Sequence, residues 1–130
     1  MAILDEIATY LATKDIGTVG TDLFMGFLPD KPDNLVALFE YAGDPMEMTM
    51  GSGGSVLERP GLQVRVRNTS YSAAKTKIED VVDELHGLAN ETLSNKTYLL
   101  IKANQSPESL GLDASFRSEF VVNFSVLKER

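Results

Sequence analysis

Residues 115–127 read SFRSEFVVNFSVL, and a stretch with this pattern needs a sheet beside it. Side chains alternate across an extended strand, so Phe116, Ser118, Phe120, Val122, Phe124 and Val126 share one side. Arg117, Glu119, Val121, Asn123, Ser125 and Leu127 take the other, which is much less apolar. At roughly 3.4 Å per residue the stretch runs about 40 Å, longer than most strands of small domains. Part of it is expected to project past the core or to pair with another subunit.

The rest of the chain supplies what that strand needs. Ile3, Leu4, Ile7, Ala8 and Leu11 fall on one stripe of a helix over residues 2–13, which should dock on the sheet. Residues 22–28 read as a strand entering a turn at 29–33, with 35–41 as its hairpin partner. Leu62, Val64 and Val66 alternate with Gln63, Arg65 and Arg67, a strand with one wet face. Ser70 or Ser72 can cap a second helix with the stripe Ala74, Ile78, Val81, Val82 and Leu85, and Gly87 is placed to end it. A further strand covers 97–103, and residues 105–111 lead into the terminal one. This order predicts an α+β fold: a mainly antiparallel or mixed central sheet, two helices packed on one face, and a long mid-chain loop. With 130 residues, of which 43% are hydrophobic, the expectation is a single domain spanning 1–130.

The mid-chain loop is placed at 42–61, AGDPMEMTMGSGGSVLERPG, which holds five of the ten glycines and two of the five prolines. Glycine raises the entropy cost of ordering, and loops of this length are uncommon without a task. Met46, Met48 and Met50 form a short alternating apolar edge within it. A bare flexible loop, a partner contact and a strand extension are all compatible with that pattern.

Composition narrows the function. A net charge of −7 argues against a general nucleic-acid binder, which gains affinity by neutralising phosphates. The absence of cysteine removes disulfides and thiolate chemistry, and one histidine cannot supply a multi-histidine metal site. No run approaches membrane-spanning length, and the first residues lack a basic segment ahead of an apolar core. The expectation is a soluble product made inside a cell, with no membrane association and no cofactor. Asp80, Asp83 and Glu84 read as the solvated face of the second helix, and His86 as a residue at its end. Gly51–Gly54 lacks the Lys-Ser/Thr ending and following helix that a phosphate-cradling loop requires. Ser52 and Ser55 have no general base fixed by spacing, so no catalytic residue is assigned. Arg65 and Arg67, on the wet side of their strand, are candidates for intermolecular or cross-strand ion pairs.

The opening amphipathic helix, the glycine-rich middle, RPGLQVRVRNTSYSAAKTKIEDVVDELHG at 59–87 and ASFRSEFVVNFSVL at 114–127 together resemble the tail-terminator and minor capsid, or head–tail completion, proteins of long-tailed bacteriophages. The resemblance extends over nearly the whole chain and rests on no catalytic motif. It implies a non-enzymatic virion protein, assembled in the host cytoplasm, that self-associates as a ring, commonly a homohexamer, at the head-facing end of the tail tube. Tail-tube and head–tail connector proteins are the implied partners. Candidate interface residues are then Met46, Met48, Met50, Arg65 and Arg67. Six copies at −7 each carry about −42, which would discourage lasting adhesion of DNA passing through the ring. The alternatives are another connector or completion protein, or a small non-enzymatic ligand-binding module built around the 42–61 segment.

Overall fold

The computed structural model describes residues 3–48 and 56–129. In chain order the elements are α1 (Ile3–Thr13), β1 (Leu23–Met25), β2 (Leu35–Met48), β3 (Val56–Asn68), α2 (Tyr71–Leu85), β4 (Glu91–Leu93), β5 (Lys96–Ala103), β6 (Glu108–Leu112) and β7 (Ser118–Glu129). The seven strands make one mixed sheet in the order β1-β2-β3-β7-β5-β4, with β6 also on β7. The terminal strand is the spine of this sheet. Its one edge pairs with β3, from Asn68↔Ser118 to Leu57↔Glu129. On its other edge β6 and β5 follow one another, β6 against Ser118–Val121 and β5 against Phe124–Lys128.

Alternation along β7 separates two faces. Phe120, Val122, Phe124 and Val126 join Leu62, Val64 and Val66 of β3, Val36 and Leu38 of β2, and the buried stripes of both helices in one core. From α1 these are Ile3, Ile7, Ala8 and Leu11, and from α2 Ala74, Ile78, Val81 and Leu85. Each fully buried side chain of this size contributes about 1.5–3 kcal/mol. Helix α1 touches β1 and β2 at one edge of the sheet and β4 at the other, so the sheet curls as a half-barrel around it. Helix α2 lies across β3, β7 and β5. Ser70 caps it by accepting from the Ala73 amide at 3.3 Å, and Gly87 follows with φ +83°, the left-handed conformation glycine adopts cheaply.

Three expectations are corrected. First, β1 and β2 are not a hairpin; they run parallel, Leu23 beside Val36. The turn residues 29–33 do not reverse the chain between them because Arg67 holds that segment to the sheet. Second, residues 42–48 and 56–61, read as loop, are strand: Asp44 pairs with Arg59, Glu47 with Leu57 and Met48 with Val56. Of the residues that suggested a loop, Gly43, Pro45, Pro60 and Gly61 fall at or beside two register shifts, between Tyr41 and Asp44 and between Asp44 and Glu47. A bulge tolerates such residues where regular pairing does not. Residues 49–55, including Met50, lie outside the described residues. Third, the terminal strand begins at Ser118, after a turn that contains Phe116.

A cluster of charges joins the start of the chain to its end beneath this sheet. Glu6 is 1% exposed and Lys128 4%. The Tyr98 hydroxyl donates to Glu6 Oε1 at 2.6 Å, and Lys128 Nζ lies 3.5 Å from the same oxygen and 3.6 Å from Glu58 Oε2. Burial, then the hydrogen bond to Glu6, push the Tyr98 pKa far above its ordinary value. Glu6 Oε2 has no hydrogen-bond partner among the described residues.

Candidate functional site

Among the described residues, the face of the sheet opposite the core carries an organised polar surface. One row across it runs Tyr41, Gly61, Ser125, Lys102. Tyr41 lies flat on this row because Gly61 has no side chain: a Cβ there would sit 2.5 Å from the ring. The Tyr41 hydroxyl donates to the Phe124 carbonyl at 3.0 Å and accepts from Asn104 Nδ2 at 2.9 Å, while Ser125 Oγ donates to Asn104 Oδ1 at 2.8 Å. Beside this fixed floor, Tyr41, Arg59, Leu100, Lys102, Ser125 and Leu127 border a groove of about 440 Å³. Its charged lining residues, Arg59 and Lys102, are both cationic, although the whole chain is acidic.

A second arrangement stands at the other end of β7. The turn between β6 and β7 closes through Asp113, whose amide donates to the Arg117 carbonyl at 2.9 Å. The Asp113 carboxylate accepts from the amides of Ser115 and Arg117, both at 2.9 Å, and from Arg117 Nε at 2.8 Å. The Arg117 amide is the largest cause holding the Asp113 pKa below its ordinary value, with the Arg117 side chain adding to it against an opposing desolvation. Arg117, 6% exposed, continues to the Asp30 carbonyl and, at 3.2 Å each, to the carboxylates of Asp30 and Asp33. The tip of this braced turn is Phe116, 77% exposed and held at φ +61°. A bulky residue in that region is unusual and costs about 1–2 kcal/mol. Leu110 and Leu112, from the adjoining β6, are also exposed.

The candidates read from sequence fall in different places. Arg65 stays on the helix-free face, its Nε donating to Gln63 Oε1 at 3.1 Å and its guanidinium 5.7 Å from the Phe39 ring centroid. Arg67 does not face solvent: it is 3% exposed and donates to the carbonyls of Pro29, Asp30, Pro32 and Asp33. Burial lowers its pKa, and the neighbouring Arg117 charge does so further. Its role here is to hold the 29–33 segment beside Arg117. Met46 and Met48 lie in β2, so neither belongs to a bare loop. Asp80 and Asp83 are exposed on α2, and His86 Nδ1 accepts from the Ala103 amide at 2.9 Å. Among the described residues no group of three or more His, Cys, Asp or Glu could hold a metal ion, and no helix is long and apolar enough to cross a membrane. Sequence reasoning missed Asp113, Arg117 and the groove. Asp113-Ala-Ser115 was a usable signal, since Asp readily accepts from the amide two residues on.

The bacteriophage tail terminator protein family matches residues 10–130 of this chain. The chain belongs to the bacteriophage tail terminator family. No curated protein matches it. Among solved structures, a chain described as "Virion of native gene transfer agent (GTA) particle" has the same fold, with a TM-score of 0.54 at 16% identity. The match covers 100% of this chain and 87% of that one. Family membership gives this tail terminator a structural role in a phage particle.

Proposed function

We propose that this tail terminator forms a ring, hexameric as its family resemblance implies, that caps the tail tube and offers the surface on which the head is joined. It works by assembly in the host cytoplasm, without turnover chemistry or a cofactor. Tail-tube protein and head–tail connector proteins are its partners, and DNA passes through the ring without a specific site. The observation that most supports this reading is the pair of separate, preorganised surfaces at the two ends of β7. A ring of like copies needs two different surfaces per copy, because a head-to-tail contact does not use the same patch twice. Arg65, Met46 and Met48, together with Met50 outside the described residues, are the proposed contacts to the tube.

The test is tube growth. Purified chain added to polymerising tail-tube protein is expected to arrest elongation and leave tubes with a ring at one end. Unchanged tube lengths and bare ends contradict the proposal, whereas a ring that binds isolated connectors but not tubes favours another completion protein. The groove supports a further alternative, a non-enzymatic ligand-binding module, for which hydrogen-exchange protection around Tyr41 and Ser125 would have to depend on a small molecule.

A further inference from the structure

We propose that Phe116, with Leu110 and Leu112, inserts into the groove bordered by Tyr41, Leu100 and Leu127 of the next copy, and that this knob-and-groove contact closes the ring. The inference rests on the ring reading above and names the residues that make it.

Three observations carry it. Phe116 is the most exposed large hydrophobic residue among those described, and it is held out by a turn that the sequence could have relaxed. A backbone fixed before binding, carrying an aromatic side chain with few rotatable bonds, loses little entropy on docking, which suits an interface anchor. The groove, about 440 Å³, falls within the range of roughly 300–1,000 Å³ in which sites bury compact apolar groups. It also combines an apolar wall, Leu100 and Leu127, with the cations Arg59 and Lys102.

Charge favours a second copy as the occupant. The strand that carries Leu110 and Leu112 begins with the exposed Glu108, which has no ion pair among the described residues. Lys102, in the groove, likewise has none among them. Glu108, opposite Val121, lies on the groove's face of the sheet and Leu112, opposite Ser118, on the other, so the β6 edge offers an acid beside apolar groups and the groove a base beside apolar ones. Within one chain they cannot meet: from Ser118, beside the knob, to Leu127, in the groove, β7 extends roughly 30 Å. They can meet only between copies, and a contact between unlike patches closes a ring when its rotation allows.

The chain contains no cysteine, which makes the contact directly testable. A Phe116→Cys, Leu100→Cys double variant, oxidised under assembling conditions, is expected to give a ladder of disulfide-linked copies ending at the size of the wild-type ring. Each single variant is expected to give no ladder. In parallel, Phe116→Asn should raise the concentration needed for half-assembly by roughly 30-fold or more. Asn suits the left-handed backbone at this position, so the variant should keep its fold, checked by circular dichroism. Leu100→Glu should have the same effect on assembly from the groove side.

A wild-type chain that remains monomeric overturns the ring reading, and this inference with it. A wild-type ring that persists in Phe116→Asn overturns the inference alone. If that variant still forms rings but no longer binds tubes, Phe116 belongs to the tube contact. If Phe116→Asn breaks the ring but Leu100→Glu does not, and no ladder forms, the groove is not its receptor.

Discussion

The two ends of β7 each hold a cation among carboxylates, and they use it for opposite purposes. At the C-terminal end Lys128 is buried with Glu6, Tyr98 and Glu58, tying the first helix to the last strand and displaying nothing. At the N-terminal end Arg117 is as buried, but two of its three carboxylates belong to the rim: Asp30 is largely exposed and Asp33 partly so. That cluster fixes a turn whose tip is an exposed aromatic. Charge is spent on cohesion at one end and on presentation at the other. A buried ion pair is weak evidence for stability by itself, but removing one partner of it is expensive.

The largest expected effect sharpens the cohesive side. Lys128→Ala leaves Glu6 buried without its cation and should lower unfolding free energy by about 3–5 kcal/mol, read from urea denaturation. Lys128→Met, which keeps the volume but also strands Glu6, should recover little of that unless combined with Glu6→Gln. Next comes the floor of the groove. Gly61→Ala forces the Tyr41 ring aside and should cost about 1–3 kcal/mol, with hydrogen exchange accelerated at Ser125 and its neighbours.

Acid should then separate the two ends. Asp113 has its folded pKa below the ordinary carboxylate value, so its contribution is present above about pH 4 and is lost as pH falls through the folded value. Protection of the Ser115 and Arg117 amides, taken relative to their intrinsic exchange at each pH, should therefore fall in acid. Tyr98 has the opposite sign, since its folded pKa lies above the ordinary value of about 10. Its contribution is complete below pH 10 and is lost above it, so alkali should loosen the Lys128 end. The smallest effect on stability, and the most telling, belongs to Phe116→Asn. Relief of the positive φ should raise stability by about 0.5–1 kcal/mol while assembly is lost.

Much of the scaffold could be read from the chain. The alternation in 118–127 and 62–67 and the helical stripes of residues 3–11 and 74–85 appear where expected, because one buried face leaves its period in the sequence. The parallel pairing of β1 with β2 could not be read, since Pro29–Asp33 looks like a hairpin turn until Arg67 is seen gripping four of its carbonyls. Residues 42–61 misled because Gly43, Pro45, Pro60 and Gly61 signal a loop equally well whether they sit in one or at the irregularities of a paired strand. Phe116 misled in the reverse direction. Its place in the alternating run gave it to the apolar face, whereas Asp113 and Arg117 turn it out to solvent. A turn's own hydrogen bonds and the irregularities of a hairpin decide these two, and a period records neither.

The most direct test is native mass analysis of the wild-type chain and Phe116→Asn at matched concentrations, with negative-stain images of each. The account predicts a closed ring for the wild type and a folded monomer, at least as stable, for the variant. Identical masses for the two proteins would contradict it.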